Sequence, residues 1–308
     1  MKNFKIVYLL IFYSIFLINT SNSIENKILF KVNNEIITSL DIYNELIYLE
    51  SINDKFKNTK KKQALEIAKR SLIREKIKEI ELKKLIKELK IEDKYLNNVL
   101  VNYYRNKQIN SISDLESYFD STGINPNLIK KKITIEILWN QLIFDKYSQS
   151  VKIDKQKIID NLEKDNKRIE FFLSEILFNV NKNEKLHKKF NLIKDKINKS
   201  NFSEAALIYS ISDTANKNGE LGWIKMTALS EKIRIALQNI TIGNYTNPIV
   251  IPGGFLILKI KDIREIDNNF DQDEEIKKVI KKKTNDQLNQ FSNIFFNKIR
   301  KDIVINEL

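Results

Sequence analysis

Backbone punctuation is rationed in this 308-residue chain and gathered in one place. The chain has six glycines and three prolines, and Gly219, Gly222, Gly243, Pro248, Pro252, Gly253 and Gly254 all fall within one short stretch. Only Gly123 and Pro126 lie elsewhere. Tight turns between strands need positive-φ positions, which glycine adopts without strain, whereas helices need none. The chain therefore divides into long glycine-free stretches suited to helices and one block with turns suited to strands.

The hydrophobic periodicity fits that division. Residues 28–33 read as a strand, Asn33-Asn34 as a turn and Ile36-Ile37 as a second strand. Thr38, with Asp41 three residues on, has the spacing of a capping box, so a helix is expected to about Ile52. Apolar residues at intervals of three and four predict helices over 60–89, 92–108, 127–147 and 154–167. A short helix is expected after Ser113, where Glu116 repeats the capping spacing. The period then changes. Residues 169–180 suit a strand, and helices follow at about 183–199 and 202–209. A polar loop occupies 210–222, a strand 222–225 and a helix 228–239. Strands at 247–251 and 255–263 are joined by Pro252-Gly253-Gly254, a hairpin signal. This block reads β-α-α-β-α-β-β. Residues 271–301 are helical again and 302–306 read as a strand. A lone terminal strand needs a partner, which is expected at 28–37.

The expected fold class is α+β: a mostly helical N-terminal domain completed by a C-terminal helix and strand, with one inserted α+β domain. The expected bounds are 1–23 for a signal peptide, 24–153 for the helical domain, 165–266 for the insert and 270–308 for the C-terminal helix and strand. Linkers are expected near 148–153 and 265–272.

Composition excludes several functions. The formal charge is +13, but lysines alternate with acids at helical spacing and arginine is scarce. That pattern reads as a solvated surface, and no nucleic-acid partner is expected. The absence of cysteine excludes disulfides, thiolate catalysis and a lipid anchor on an N-terminal cysteine. The single histidine, His187, cannot build a metal cluster alone, so neither metal nor cofactor is expected. The start is informative. Met1 to Lys5 is basic, Ile6 to Ile18 is continuously apolar, and Ser21-x-Ser23 offers small residues for cleavage. The apolar run is shorter than the roughly 20 residues that span a bilayer. A cleaved signal peptide and a periplasmic destination are expected.

Five pieces in order carry a resemblance. They are Leu173-Ser174-Glu175-Ile176-Leu177, Asn201-Phe202-Ser203-Glu204-Ala205-Ala206, Tyr209-Ser210-Ile211-Ser212-Asp213, Gly219-Glu220-Leu221-Gly222-Trp223 and Gly254-Phe255-Leu256-Ile257-Leu258-Lys259. With these, residues 169–264 resemble a parvulin-type (PpiC, rotamase) peptidyl-prolyl isomerase domain. The flanks, from Lys31 to Asp41 and around Leu72 to Ile77, resemble the SurA family of periplasmic chaperones for outer-membrane proteins. One parvulin domain is present where the best-known members carry two. The resemblance implies a chaperone whose partners are unfolded or extended polypeptides, including outer-membrane protein precursors. Tyr103, Tyr104, Tyr118, Phe119, Phe295 and Phe296 are candidates for an apolar client groove, with ordinary core as the alternative.

The resemblance also implies a site. Parvulins surround a twisted prolyl bond with two histidines and a cysteine or aspartate in an apolar pocket. The uncatalysed barrier is roughly 18–20 kcal/mol, and catalysis requires tighter binding of the twisted amide than of the planar one. In this chain the first histidine position is Glu175 and the last is Leu256. The Cys/Asp position is Ser212, with Asp213 adjacent. The pocket methionine is Met226, and Ser230 stands where a phenylalanine is usual. Met226, Ser230 and Phe255 are the expected peptide-binding residues. Two readings follow: a degenerate domain with weak or no isomerase activity, or an active isomerase using Glu175, Ser212 or Asp213, and Met226.

Overall fold

The first strand of the chain lies beside its last. In the computed structural model, which describes residues 26–164, 169–180, 183–266 and 272–308, β1 (Ile28–Val32) pairs antiparallel with β2 (Glu35–Thr38). On its other side β1 pairs antiparallel with the terminal strand Ile305–Glu307. The terminal strand thus joins the pair at which its partner was expected. The expected signal peptide, residues 1–23, and part of the expected 265–272 linker lie outside the described residues.

Five helices follow the hairpin: α1 (Ser39–Ile52), α2 (Lys61–Lys83), α3 (Asp93–Tyr104), α4 (Ile112–Ser121) and α5 (Pro126–Tyr147). The Thr38 hydroxyl accepts from the Asp41 amide at 3.2 Å, and the Asp41 carboxylate accepts from the Thr38 amide at 2.8 Å. This is the reciprocal cap foreseen from the spacing. The helix expected over 92–108 ends at Tyr104 and gives way to a 3-10 turn over Arg105–Lys107, and two further boundaries differ from the periodicity. The helix expected to reach residue 89 stops at Lys83, and Ile86 and Leu89 pack on the core from an irregular segment instead. Side-chain burial there outweighs helix propensity. The cap of α4 is Ser111 with Asp114, not Ser113 with Glu116. Asp114 accepts from the amides of both Asn110 and Ser111, at 3.0 and 2.9 Å, while Glu116 accepts from Lys130 at 2.7 Å.

The inserted block begins after α6 (Lys155–Lys164). It comprises β3 (Ile169–Phe178), α7 (Leu186–Lys199), α8 (Phe202–Tyr209), β4 (Glu220–Lys225), α9 (Glu231–Gln238), β5 (Ile249–Ile251) and β6 (Gly254–Glu265). The sheet order is β4-β3-β6-β5, antiparallel throughout. Alternation along the strands sends side chains to two faces. Ile176, Phe178 and Ile257 pack with Phe202, Ala205 and Ala206 of α8 and Ile193 of α7. Phe171, Leu173, Leu256 and Leu258 pack with Leu237 of α9 on the other face. The hairpin glycine is required: a Cβ on Gly254 would lie 2.6 Å from the Phe178 carbonyl oxygen and 2.4 Å from Asn179 Oδ1.

The chain then returns through α10 (Gln272–Arg300) to the terminal strand, β7. Trp139 of α5, 1% exposed, is the largest fully buried side chain. Its Nε1 donates to Ser292 Oγ at 2.8 Å, and its ring stacks on Phe295 with centroids 5.6 Å apart. Tyr147 stacks on Phe291 at 5.0 Å. The C-terminal half of α10 is therefore part of the N-terminal helical core. Phe295, Phe296, Tyr104 and Phe119 are buried in that core, so these candidates for a client groove are core residues. Tyr118 is half-buried against the same core, and its hydroxyl donates to the Ser51 carbonyl at 2.6 Å. Tyr103 is partly exposed, with Lys217 Nζ 4.2 Å from its ring centre.

Helix α2 also carries buried ions. Glu79 is buried against Lys76, Lys83 and Lys131, with N–O distances of 3.3, 3.1 and 3.1 Å. Burial pushes the Glu79 carboxyl upward, but the three ammonium groups outweigh it and hold the pKa at about 2, against 4.5 when unperturbed. Because the folded value is the lower, the stabilisation is complete above pH 4.5 and is lost as pH falls toward 2. The thermal midpoint is expected to drop across that window. In Glu79→Gln, midpoint against pH should start lower and be flatter over the same range; an unchanged slope would show that Glu79 does not set it.

Candidate functional site

The site grows from the close contact between β3 and the loop after α8. The Glu175 amide donates to the Gly219 carbonyl at 2.7 Å, and the Ile211 amide donates to the Leu177 carbonyl at 2.7 Å. Ser210 Oγ accepts from the Leu177 amide at 3.1 Å. Gly219 makes this approach possible: its φ is +71°, and a Cβ there would lie 2.2 Å from the Glu175 carbonyl oxygen. Loop and strand are thereby fixed in register, and the side chains of Glu175, Ser212 and Thr214 meet.

Glu175 Oε1 accepts from Ser212 Oγ at 2.6 Å and from Thr214 Oγ1 at 2.9 Å. Ser212 also caps the short 3-10 turn Asp213–Lys217. Burial raises the Glu175 carboxyl above its ordinary range, while the two hydroxyls, by stabilising its charge, oppose the shift. A carboxyl with a raised pKa can hold a proton at a pH where most carboxyls have lost theirs. Thr214, which sequence reasoning missed, could have been found from its place two residues after Ser212 on the capped turn.

Leu256 lies on the same sheet face as Glu175, because Leu177 pairs with Leu256 and Glu175 with Leu258 across β3 and β6. It is buried in the apolar cluster with Leu173 and Leu258 and brings no polar group to the site. Met226, in the turn after β4, packs against that cluster and remains half-buried. Ser230 is exposed at the start of α9, where its Oγ accepts from the Ile233 amide at 3.4 Å. Phe255 does not join them. It stacks on Phe178 at 5.7 Å in the cluster under α7 and α8, because neighbouring residues of a strand face opposite ways. His187 is exposed on α7, which packs on that same opposite face.

Asp213 turns away from this group toward the helical core. Its Oδ1 lies 3.1 Å from an Arg74 guanidinium nitrogen and 4.0 Å from Lys78 Nζ, both on α2. Burial acts to raise the Asp213 carboxyl, but Lys78 and Arg74 outweigh it and hold the value down. One turn earlier on α2, Arg70 donates to the carbonyls of Leu207 and Ile208 at the end of α8. Asn53 Nδ2 donates to the Asn216 carbonyl at 2.9 Å. The candidate site therefore borders the helical core directly. Among the described residues, no group of three or more metal-ligating side chains occurs, and no helix is long and apolar enough to cross a membrane.

Residues 175–262 match the Rotamase family, described as the PPIC-type PPIASE domain. The chain is 26% identical over 188 residues to Chaperone SurA of Pectobacterium atrosepticum, covering 57% of this chain and 43% of that one. It is 36% identical over 75 residues to Chaperone SurA of Pseudomonas putida, covering 24% of this chain and 18% of the relative. The match thus spans less than half the length of these curated relatives. Among solved structures, the SurA-like chaperones PEB4 and Cj1289 of Campylobacter jejuni provide a match at 16% identity and a TM-score of 0.37, covering 92% of this chain and 99% of that one. A PpiC-type peptidyl-prolyl cis-trans isomerase domain matches at 27% identity and a TM-score of 0.30, covering 33% of this chain and 96% of that one.

Proposed function

We propose that this chain, a SurA-like protein with one parvulin-type domain, is a periplasmic chaperone that holds unfolded polypeptides, outer-membrane protein precursors among them, and that its parvulin-type domain is weak or inactive as an isomerase. The observation that carries the second half is the pairing of Glu175 with Ser212 and Thr214, with an apolar Leu256 on the same sheet face as Glu175. Polar groups that work on a substrate as a unit lose most of their effect when members are missing. Here two hydroxyls donate to one carboxylate oxygen, and Leu256 brings no polar group to the sheet face it shares with Glu175. The apolar run at residues 6–18 supports the periplasm, and sequencing of the exported protein is expected to start near Ile24.

The test uses the full chain. A stoichiometric amount is expected to suppress light scattering by an outer-membrane protein diluted out of urea. The same preparation is expected to leave prolyl isomerisation of a short peptide near its uncatalysed rate. Failure to suppress aggregation would remove the chaperone reading. The second reading, an active isomerase, is favoured by the raised pKa of Glu175, since a protonated carboxyl can donate to the prolyl nitrogen. Catalysis that falls as pH rises through that pKa, and that is lost in Glu175→Gln or Ser212→Ala, would establish it.

A further inference from the structure

The 3-10 turn Asp213–Lys217 has two sides. On one, Ser212 at its start and Thr214 within it donate to Glu175. On the other, the helical part holds it at both ends. Asn53, which follows α1 directly, is buried and grips the far end. Its Nδ2 donates to the Asn216 carbonyl at 2.9 Å and to Asn218 Oδ1 at 3.1 Å, and its Oδ1 accepts from Asn218 Nδ2 at 3.2 Å. Arg70 of α2 grips the chain just before the turn. Its guanidinium donates to the carbonyls of Leu207 and Ile208, in the last turn of α8, where a helix leaves its own carbonyls without partners. Leu207 itself, 1% exposed, belongs to the apolar cluster of the helical part and to neither cluster of its own block. Arg74 adds its pair with Asp213 at 3.1 Å, but the Asp213 side chain is 64% exposed, so that ion pair contributes little beside the buried amide bonds.

We propose that Asn53 and Arg70 are positioning residues for the candidate site: from the helical part they set the turn so that the Ser212 and Thr214 hydroxyls reach the Glu175 carboxylate. The inference rests on the reading above that this group is the site of the parvulin-type domain. The hydroxyls lie 2.6 and 2.9 Å from Glu175 Oε1. A displacement of roughly 1 Å takes such a contact out of hydrogen-bond range. Glu175 stays where it is, because β3 is held along its length by β6. The geometry of the site is thus shared between two parts of the chain, and neither residue that sets it touches Glu175.

The test uses the full chain with carbon-13 in its glutamate carboxyls, with Glu175 identified by the signal that Glu175→Gln removes. Its titration midpoint is followed by nuclear magnetic resonance. In the wild type, Ser212→Ala is expected to raise that midpoint by about one pH unit, because it removes a hydrogen bond that stabilises the charged form. Asn53→Ala and Arg70→Lys are each expected to raise it as well, and Ser212→Ala is expected to add to either less than about half of its wild-type shift, since the effects run through one contact. Neither of the two substitutions changes the charge, and a loss of stability alone leaves the midpoint of the native carboxyl in place. Should Asn53→Ala fail to fold, the milder Arg70→Lys carries the same test. A midpoint that does not rise, or the full Ser212→Ala shift in either background, would overturn the inference while leaving the polypeptide reading intact. The non-additive shift in a protein that neither binds nor isomerises a prolyl peptide would remove that reading and uphold the positioning.

Discussion

Replacing Trp139 with alanine is expected to destabilise the helical core by about 3–5 kcal/mol, the range for deleting a fully buried aromatic. The side chain sits where α5 meets α10, between Phe295, Phe296 and the Ser292 hydroxyl. Its removal leaves a cavity and strips Ser292 of its partner. The chain has only two tryptophans, and the other, Trp223, lies on β4. In Trp139→Ala, fluorescence therefore follows the parvulin-type domain alone, while far-ultraviolet dichroism follows the helices. The dichroism midpoint in urea is expected to fall sharply and the fluorescence midpoint much less. Equal shifts would show that the two parts unfold as one unit and that the effect is not local to the helical core.

Gly219→Ala is the opposite experiment. Its Cβ would meet the Glu175 carbonyl oxygen at 2.2 Å, and its φ of +71° is strained for any L side chain. The contact is with backbone, so rotation of a side chain cannot relieve it. The loop must leave β3 and give up the Glu175–Gly219 hydrogen bond. Strain of this kind costs about 1–3 kcal/mol, and the overpacking adds a similar amount. Here the Trp223 signal is expected to move and the helical signal to hold. The Ser212 and Thr214 contacts with Glu175 depend on the same register, so the variant should also change whatever the site does. A stability equal to wild type would mean that the loop can be repositioned without loss.

Much of the architecture could be read from the chain because its signals were local. The rarity of glycine made Gly219 and Gly254 conspicuous, and both are positions where backbone approaches too closely for a Cβ. The Thr38–Asp41 cap is a matter of spacing over three residues. The long-range contacts were hidden. Arg70, Arg74 and Lys78 recur every four residues on α2 and look in sequence like one more solvated basic stripe. Yet Lys78 is 1% exposed, pairs with Glu136 at 2.6 Å and, with Arg74, holds Asp213. The same +13 charge that reads as surface therefore includes ions essential to the interior. Phe255 shows a different limit. The match to the family aligned its position, but only the pairing of β3 with β6 decides which face it occupies.

The pairing of β1 with β7 and the burial of α10 against α5 also bear on the order in which the chain can be completed. The parvulin-type block from β3 to β6 is continuous in sequence and has its own two apolar clusters. The helical core is discontinuous: Trp139 meets Ser292, Phe295 and Phe296 only once α10 is made, and β1 gains its second neighbour only at residue 305. Contacts that close such long loops form late. During synthesis the first half to be made is thus the last to be finished, with its apolar faces open for as long as the insert takes to fold. A chain interrupted before α10 lacks Phe295, Phe296 and Ile299 of the helical core, and its β1 lacks a second neighbour.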